Sequence, residues 1–369
     1  MQITVPREEL QQALSVLQHI TGAKTAIPLL ANVRIAADTS GIELAASDLE
    51  VALRWRVQGD IAEGGTITLP GRKLNEIVSV LPDEPIQMES SGNQVQIVCD
   101  RVQYKLFGLP ADEFPALPEL QEEDEGLRID GPILARMFQR TKFAAAVEEG
   151  RYFLNGVYFH LSPDWVRTVA TDSRRLALSQ LDLSGVVEKE TGVIIPIKAV
   201  EETLRTFSDS EEVRIALREK QILFADDRAV LGARLLDGEY PAYSQLIPKS
   251  HPIQVEVEKE LFATAIRRVS LLANPKTTTV RLEISSEEIT LSASSAEFGE
   301  AREVVPASSN DSITIGFNAR YLLDALGPIE SKVAVLELKE ALTAAVIRDA
   351  ESSEYLCLLM PVRLEAASL

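Results

Sequence analysis

The stretch TVATDSRRLAL, residues 168–178, contains the marker that organises the whole chain. Its Ala-Thr-Asp, at 170–172, ends a strand-like segment, and a similar Ala-Ser-Asp stands 124 positions earlier, at 46–48. A more divergent Ala-Ser-Ser, at 293–295, stands 123 positions after the second copy. Both spacings are close to one third of the 369 residues, which indicates three internal copies of one structural unit.

Two further markers recur at nearly the same spacing. Each copy has a strand-like stretch that leads into a helix-like run, at Pro70, Pro196 and, in the third copy, Phe317. Each copy also closes its strand-rich part with an aromatic residue or methionine before a proline, at Phe114-Pro115, Tyr240-Pro241 and Met360-Pro361. We therefore predict three domains, over residues 1–122, 123–250 and 251–369.

Each copy is predicted to contain two amphipathic helices and several strands. Apolar residues recur at spacings of three and four in EELQQALSVLQHI (8–20), PILARMFQRTKF (132–143) and ELFATAIRRVSLLA (260–273). A second run of this kind follows the marker at Pro70, Pro196 or Phe317. Alternation with period two, as in NQVQIVCD and RVQYKLFG (93–108), predicts strands with one buried face. The predicted fold class is α+β, with two helices packed on strand-rich sheets in each repeated domain.

Composition narrows the class of protein. The chain is 46% hydrophobic, yet it has no apolar run near the ~20 residues of a membrane span, so we expect no membrane partner. Two cysteines cannot form a disulfide framework and the N-terminus lacks a secretory pattern, which together predict a cytoplasmic protein. A net charge of −19 argues against an ordinary nucleic-acid binder, although a locally basic surface is compatible with it.

No pattern in the sequence is typical of an active site. The phosphate-binding glycine motifs and the H-E-x-x-H zinc motif do not occur. The three histidines, His19, His160 and His251, are far apart in sequence. Asp172 with Ser173 could be proposed for a hydrolase, but the glycines of a nucleophile elbow are missing, so a turn aspartate is favoured. We predict no catalytic residue, no metal and no cofactor.

Basic residues recur at matching positions of the predicted helices. Arg72 and Lys73 begin one helix of the first copy, and Lys198 begins its counterpart in the second. Their recurrence indicates a shared helical surface, although acidic residues dilute it on the same helices, at Glu76, Glu201, Glu202 and Asp324.

Five stretches of the sequence resemble one known family. They are RYFLNGVYF (151–159), TVATDSRRLAL (168–178), LLDGEYPAY (235–243), IGFNARYLLDAL (315–326) and LLMPVRL (358–364). In composition and order they resemble the bacterial sliding clamp, the beta subunit of DNA polymerase III, along the whole chain. That family has three similar domains per chain, in agreement with the three copies.

The resemblance implies a non-catalytic processivity factor. Two chains would join head to tail into a six-domain ring around double-stranded DNA, held without sequence preference. The implied protein partners are the DNA polymerase III catalytic subunit, the clamp loader, and other polymerases and repair proteins that dock through short peptides. The DNA polymerase and 3'-5' exonuclease activities would belong to the holoenzyme. A topological link needs only weak phosphate contacts, which suits an acidic protein.

The resemblance also implies a peptide pocket between the second and third domains. Leucine, proline and methionine would form an apolar well, with Arg151, Arg175 and Arg363 at its rim. The matching positions are Arg151, Phe153, Leu154, Thr171, Ser173, Arg174, Arg175, Leu176, Pro241, Leu246, Asn318, Tyr321, Leu342, Leu358, Met360, Pro361, Val362 and Arg363.

Two further sets of residues follow from the resemblance. The predicted DNA-facing residues are Lys24, Arg72, Lys73, Arg136 and Lys198. The dimer would form where two edge strands of opposite charge meet, with added apolar contact. Its predicted residues are Arg101, Tyr104, Lys105, Leu106, Leu271, Leu272, Glu297, Glu300 and Glu303.

The chain departs from the family pattern at a few positions. The family often has Gly-His where Ser173-Arg174 stand, which implies a more basic pocket rim. Glu148 and Glu149 occupy a loop that the family uses near DNA. Together with the acidic net charge, these glutamates leave open an alternative function, a peptide-docking scaffold that does not encircle DNA.

Overall fold

The helices lie where the sequence pattern predicts them, two in each repeat. The structure is a computed structural model that describes residues 1–22, 26–121, 124, 126–147, 151–248 and 250–364. Within these ranges the α-helices are α1 (Arg7–Ile20), α2 (Gly71–Val80), α3 (Gly131–Gln139), α4 (Ile197–Phe207), α5 (Lys259–Ser270) and α6 (Ala319–Leu326). The apolar spacing of three and four predicts amphipathic helices, and this prediction is confirmed because each of these helices buries one apolar stripe.

Helix α3 is shorter than its sequence pattern predicts. The pattern runs to Phe143, but the helix ends at Gln139 and a 3-10 turn follows over Lys142–Ala144. The hydroxyl of Thr141 donates to the carbonyl of Met137 at 3.1 Å. Such a side-chain hydrogen bond competes with the backbone ladder and favours a helix end.

The strands of the described residues form three antiparallel sheets. In chain order they are β1 (Gln2–Val5), β2 (Asn32–Asp38), β3 (Gly41–Ser47), β4 (Val51–Val57), β5 (Asp60–Glu63), β6 (Gly65–Pro70), β7 (Ile86–Ser91), β8 (Gln94–Cys99), β9 (Val102–Phe107), β10 (Leu127–Ile129), β11 (Gly156–Leu161), β12 (Trp165–Thr171), β13 (Arg175–Asp182), β14 (Thr191–Pro196), β15 (Val213–Arg218), β16 (Gln221–Ala225), β17 (Ala229–Arg234), β18 (Ile253–Glu258), β19 (Thr279–Ile284), β20 (Glu288–Ser295), β21 (Gly299–Ser309), β22 (Ile313–Asn318), β23 (Val333–Leu338), β24 (Ala345–Asp349) and β25 (Tyr355–Leu359).

The chain divides into two compact units. Unit 1 comprises Met1–Ala135 with Lys198–Leu235, and unit 2 comprises Arg136–Ile197 with the chain from Leu236 onward. Unit 1 has a five-stranded sheet, β5-β1-β7-β8-β9, and an eight-stranded sheet, β10-β15-β16-β17-β4-β3-β2-β6. Unit 2 has one twelve-stranded sheet, β14-β11-β12-β13-β25-β24-β23-β18-β21-β20-β19-β22.

Strands of neighbouring repeats pair directly, which explains why two units arise from three repeats. In unit 1, β17 of the second repeat pairs with β4 of the first, with Gly232 opposite Ala52. In unit 2, β13 of the second repeat pairs with β25 of the third, with Leu176 opposite Leu358. The central repeat therefore contributes strands to both units. We call these two pairings the first and the second junction.

The sequence marker at 46–48 and 170–172 is a tight turn beside each junction. Asp48 Oδ1 accepts the amide hydrogens of Glu50 and Val51, at 3.0 and 2.7 Å. Asp172 Oδ1 accepts those of Arg174 and Arg175, at 2.9 and 3.0 Å. The structural role predicted for Asp172, a turn aspartate, is confirmed.

The helices pack against the sheets through buried side chains. In unit 1, α1 contacts α2 and strands β3 and β4; in unit 2, α5 contacts α6 and strands β20 and β21. Leu14 and Phe262, which are fully buried, lie on these helical faces. Each such side chain stabilises its unit by about 1.5–3 kcal/mol through burial. Among the described residues, no helix is long and apolar enough to cross a membrane.

Candidate functional site

The second junction places most of the predicted pocket leucines in one apolar cluster. Leu176 and Leu358 face each other across β13 and β25, and both belong to a buried cluster with Leu154. The other buried members of this cluster are Val169, Leu178, Ile194, Tyr240, Tyr243, Val346 and Leu356. Phe153 packs against it and is half-buried. These leucines therefore form a floor and are largely covered in the unbound chain.

Other predicted pocket residues are exposed beside this floor. Leu246, Leu342 and Met360 have about half of their surface exposed, at 52%, 56% and 49%. The Met360 amide donates to the Arg174 carbonyl at 2.9 Å, which fixes the chain end next to the turn. Exposed leucine and methionine side chains beside a buried apolar floor are suited to receive apolar ligand groups.

The segment around Pro361 is hydrogen-bonded to β22, the strand that leads into α6. The Val362 amide donates to the Gly316 carbonyl of β22 at 2.8 Å. Pro361 and Val362 are half-buried and Arg363 is exposed. The residues from 360 to 363 are therefore held on both sides of Pro361 by backbone hydrogen bonds.

The turn at 171–175 carries the polar part of the site. Thr171 Oγ1 donates to the Arg175 carbonyl at 2.7 Å, and the Ser173 amide donates to Thr171 Oγ1 at 3.1 Å. Ser173 has a φ of 71°, a left-handed conformation that is uncommon for a residue with a side chain. Exposed Arg151 donates from Nη1 to Ser173 Oγ at 2.6 Å. Arg151 and Arg174 are thus exposed cations at this edge of the site.

Arg175 has a different role from the rim contact that the sequence predicts. It is only 8% exposed, and its Nε donates to Asp172 Oδ2 at 3.0 Å. Its Nη1 donates to Asp324 Oδ2 of α6 at 2.6 Å, and its Nη2 to the Phe143 carbonyl at 2.5 Å. Its guanidinium also lies over the Tyr321 ring, 4.3 Å from the centroid. Arg175 is therefore an internal support that ties the turn to α6.

Asn318 and Tyr321 order the start of α6. Asn318 Oδ1 accepts the Tyr321 amide hydrogen at 3.2 Å, an N-cap that satisfies one free helix donor. Asn318 Nδ2 donates to Thr278 Oγ1 at 2.7 Å. Both residues are half-buried, so their main role is to position α6, and they add little to the exposed surface of the site.

Several members of the site are absent from the sequence prediction. Tyr240 and Tyr243 flank the predicted Pro241, and both belong to the apolar cluster. Burial raises the pKa of both phenols, which keeps them protonated. The signal was present in the sequence, because the Tyr-Pro pair is one of the repeat markers. Its tyrosines could only be placed once the pairing of β13 with β25 was known.

The predicted DNA-facing residues are mostly paired with carboxylates. Lys73 pairs with Glu76, and Lys198 pairs with Asp48. Arg136 Nη1 lies 3.9 Å from Glu330 Oε2. Arg72 is exposed at the start of α2. Lys24 lies outside the described residues, as do Glu148 and Glu149.

The predicted dimer residues of unit 1 lie on an edge strand. Strand β9 is the last strand of the five-stranded sheet, with Lys105 exposed and Tyr104 and Leu106 half-buried. Arg101 is exposed in the preceding turn. Phe107, missed by the sequence prediction, is 70% exposed on the polar face of this strand. An exposed phenylalanine at a polar parity is the signal that could have identified it.

The predicted dimer residues of unit 2 surround the first part of β21. That part pairs with β20 along its length, whereas β18 pairs only with Ala307–Ser309. Glu300 is exposed there, and Leu271 is 78% exposed with half-buried Leu272 beside it in sequence. Glu297 lies in the turn before β21, where Phe298 is also exposed.

Glu303 is a predicted dimer residue that has an ion-pair partner within the chain, Arg268. Its Oε2 accepts from Arg268 Nε at 2.9 Å, and this hydrogen bond lowers the pKa of the Glu303 carboxyl. Glu303 is therefore the least available of the three glutamates for a partner chain.

The described residues contain no group of three or more His, Cys, Asp or Glu side chains placed to hold a metal ion. Cys99 and Cys357 are both buried free thiols. Burial raises the pKa of Cys357 to about 12, so this thiol stays protonated.

Comparison with known proteins agrees with this architecture along the chain. Three family models match: the N-terminal domain of the DNA polymerase III beta subunit over residues 1–118, its central domain over 128–242 and its C-terminal domain over 244–363. The beta sliding clamp of Pseudomonas putida is 31% identical over 371 residues, which cover 99% of this chain and 100% of that protein.

Solved structures show the same similarity. A sliding clamp from Pseudomonas aeruginosa bound to griselimycin has a TM-score of 0.93 and 32% identity. One from Bartonella birtlesii, also bound to griselimycin, has a TM-score of 0.93 and 33% identity. Each match covers 99% of this chain and 100% of the other. The chain therefore belongs to the DNA polymerase III beta subunit family, the bacterial sliding clamps.

Proposed function

We propose that this chain is a processivity factor that encircles double-stranded DNA as a homodimeric ring and tethers the replicative DNA polymerase to it. The observation that carries the proposal is full-length similarity to sliding clamps, with the three domain models in order. The proposed domains are residues 1–122, 123–250 and 251–369. The proposed location is the cytoplasm, where bacterial DNA is replicated.

The proposed DNA contacts are weak and independent of sequence. Lys73, Arg136 and Lys198 each have a carboxylate neighbour that competes with DNA phosphates. Arg72 has no such ion pair among the described residues. Each phosphate contact releases counterions and slows movement along the duplex, so a clamp that slides benefits from few of them. Retention would then come from closure of the ring.

The proposed homodimer joins β9 of one copy to β21 of another. Arg101 and Lys105 lie at the first edge, and Glu297 and Glu300 lie at the second. Opposite charges would fix the direction of pairing, and exposed Phe107, Leu271 and Phe298 would supply apolar contact. An edge strand with unpaired backbone groups is a natural template for such pairing.

The proposed peptide-binding surface is the exposed part of the second junction. Leu176 and Leu358 would form its floor, Leu246, Leu342 and Met360 its walls, and Arg151 and Arg363 its polar rim. Its proposed partners are the DNA polymerase III catalytic subunit, the clamp loader, and other polymerases and repair proteins. The chain itself would be non-catalytic, and the holoenzyme would supply the polymerase and 3'-5' exonuclease activities.

Retention on DNA tests the encirclement. The protein is loaded on a nicked circular plasmid with the clamp loader of the same organism, and the bound fraction is separated by gel filtration. We expect the clamp to stay on the circle and to leave after one restriction cut. Equal retention on circular and linear DNA contradicts the proposal. A monomer at micromolar concentration by light scattering, with peptide binding intact, favours the alternative of a docking scaffold.

A double variant tests the peptide surface. Leu176→Ala with Met360→Ala removes one floor and one wall side chain. Half-exposed Met360 can contribute on the order of 1 kcal/mol when a ligand buries it, and Leu176, already buried, shapes the floor on which the ligand lies. We expect at least tenfold weaker binding of griselimycin and of polymerase peptides, measured by titration calorimetry. The dimer should be intact by light scattering. Unchanged affinity contradicts the assignment of the surface.

A further inference from the structure

A group of aromatic and titratable side chains covers one face of unit 2 beside the proposed peptide surface. It consists of Tyr158 and His160 of β11, Trp165 and Arg167 of β12, and Tyr240 and Tyr243 of the segment between β17 and β18. Tyr243 is at its centre and is only 4% exposed. The proposed function assigns no role to His160, Arg167 or Tyr243.

A chain of hydrogen bonds runs through the Tyr243 hydroxyl. Arg167 Nη1 donates to Tyr243 Oη at 3.3 Å. Tyr243 Oη lies 2.9 Å from His160 Nδ1, and His160 Nε2 lies 2.8 Å from Glu190 Oε1. Because an ionised carboxylate only accepts, Nε2 is the nitrogen that carries the hydrogen of a neutral ring. His160 Nδ1 then accepts from the Tyr243 hydroxyl, so this hydroxyl both accepts a hydrogen bond and donates one.

The rings around this chain hold it in place. Tyr240 stacks on Tyr158 with centroids 4.6 Å apart. The Arg167 guanidinium lies over the Trp165 ring, 4.0 Å from the centroid, and Arg167 Nε donates to Gln180 at 2.7 Å. Arg167 therefore presents its Nη1 to Tyr243 from a fixed position.

The backbone of Tyr243 connects this chain to the proposed peptide surface. The Tyr243 amide donates to the Pro241 carbonyl at 2.6 Å, and its own carbonyl accepts the Leu246 amide hydrogen at 2.9 Å. Pro241 and Leu246 are both predicted pocket residues. The side chain of Tyr243 is thus the anchor of a 3-10 turn that orients an exposed leucine.

We propose that the hydrogen-bonded chain Arg167–Tyr243–His160–Glu190 positions the turn that carries Leu246, and so sets the affinity of the peptide surface. Tyr243 and His160 are positioning residues, since neither is part of the exposed surface itself. This inference rests on the proposed function, in which Leu246 is a wall of that surface.

The chemistry of His160 gives this arrangement a pH dependence. Burial lowers the pKa of His160, although nearby Glu190 opposes the shift and Arg167 adds to it. At neutral pH the ring is therefore uncharged. Acid adds a hydrogen to Nδ1, which then faces a Tyr243 oxygen that already accepts from Arg167. The hydrogen of the buried Tyr243 hydroxyl then has no acceptor, which weakens the anchor of the turn.

Three variants and one ligand test this inference. Griselimycin affinity is measured by calorimetry at pH 8.0 and 5.5 for the wild type, Tyr243→Phe, His160→Gln and His19→Gln. His19 is the matched control, because burial also lowers its pKa but it lies in unit 1. Any titration of the ligand itself is common to all of the proteins.

We expect the wild type to bind about threefold more weakly at pH 5.5 than at pH 8.0, and His19→Gln to behave in the same way. Tyr243→Phe should bind about threefold to tenfold more weakly at pH 8.0, the effect of one net hydrogen bond, and should lose the pH response. His160→Gln has no titratable ring, so its affinity should be equal at pH 8.0 and at pH 5.5.

Two results overturn the inference. One is a wild-type affinity that is equal at both pH values, and the other is wild-type binding by Tyr243→Phe. A purely structural role would lower the melting temperature of the variants without removing the pH response. If the wild type does not bind, or if the Leu176→Ala, Met360→Ala double variant binds normally, the proposed peptide surface fails and the inference fails with it.

Discussion

The first and second junctions share a backbone plan and differ in side-chain chemistry. Leu176 opposite Leu358 in the second junction corresponds to Ala52 opposite Gly232 in the first. Both junctions have the aspartate turn, and Leu49 has a φ of 77°, close to the 71° of Ser173. The repeat therefore conserves the path of the chain through the turn and the register, while the residues on one face vary.

The faces beside the two junctions carry opposite kinds of side chain. In the first junction Arg54 donates to Glu43 Oε2 at 2.8 Å and to the Pro118 carbonyl at 3.1 Å. The segment around Pro118 lies against Gly232 and borders a polar cavity of about 520 Å³. In the second junction the same face is apolar, and Leu246 and Met360 stay half exposed beside it. The pair of small residues in the first junction lets the segment around Pro118 lie directly on it, whereas the pair of leucines in the second junction forms an apolar floor with half-exposed side chains beside it.

The largest expected effect comes from replacing Arg175, in the second junction, by the valine that stands at the matching position of the first junction. Arg175 corresponds to buried Val51. Arg175→Val leaves Asp172 and Asp324 without their shared cation in a partly buried site. Breaking such a network typically costs about 3–5 kcal/mol, and we expect a loss of this size in the free energy of unfolding from urea denaturation.

Arg320→Ala is the control for this variant, since Arg320 is exposed on the same helix, α6. It should change the free energy of unfolding by less than about 0.5 kcal/mol. An Arg175→Val protein as stable as this control would mean that Arg175 is not a support.

A smaller effect is expected when the first junction is made bulkier. A Cβ atom at Gly232 would lie 2.7 Å from Pro118 Cβ and 3.1 Å from Leu223 Cδ2. Gly232→Ala should therefore displace the covering segment and destabilise the protein by about 1–3 kcal/mol. Faster proteolysis near residues 111–121 should accompany the loss.

A double variant separates this contact from a general effect on β17. Pro118→Gly removes the Cβ that the new methyl group would meet, so the combined variant should recover part of the lost stability. Strictly additive losses would show that the close approach of Pro118 is not the cause.

The smallest effect concerns an acidic position that recurs on α2, α4 and α6. Glu76 is exposed and Asp324 pairs with Arg175, whereas Glu202 is 2% exposed with one buried oxygen that lacks a hydrogen bond. Burial raises the pKa of Glu202, and Arg205 opposes this shift. The ionised carboxylate is therefore less favourable in the folded state than in the unfolded state.

This shift has a definite sign in a pH series. Stability is lost as pH rises from the unfolded pKa, about 4.5, through the raised folded pKa. Relative to Glu202→Gln, the wild type should thus become less stable between pH 4.5 and pH 8, measured by thermal unfolding. Glu76→Gln, at the corresponding exposed position, is the matched control in the same series. A constant difference between the wild type and Glu202→Gln would contradict the prediction.

Local patterns in the sequence specify the plan of each repeat. Periodicity and the spacing of Pro70 and Pro196 specified the helices, because apolar spacing reports which face of a segment is buried. The Ala-x-Asp marker specified a turn, because aspartate accepts backbone hydrogens two and three residues ahead. The resemblance to sliding clamps predicts pocket positions such as Leu176 and Met360.

Which groups meet over long distances depends on how the strands of the three repeats pair. Pairing of strands from neighbouring repeats made two compact units from three copies. It buried Arg175 against Asp324, which lies 149 residues away in the sequence. It also brought Tyr243 to His160, 83 residues away. The physical reason is that sequence patterns record the environment of each segment, while partner choice depends on how the buried faces of separate segments pack together.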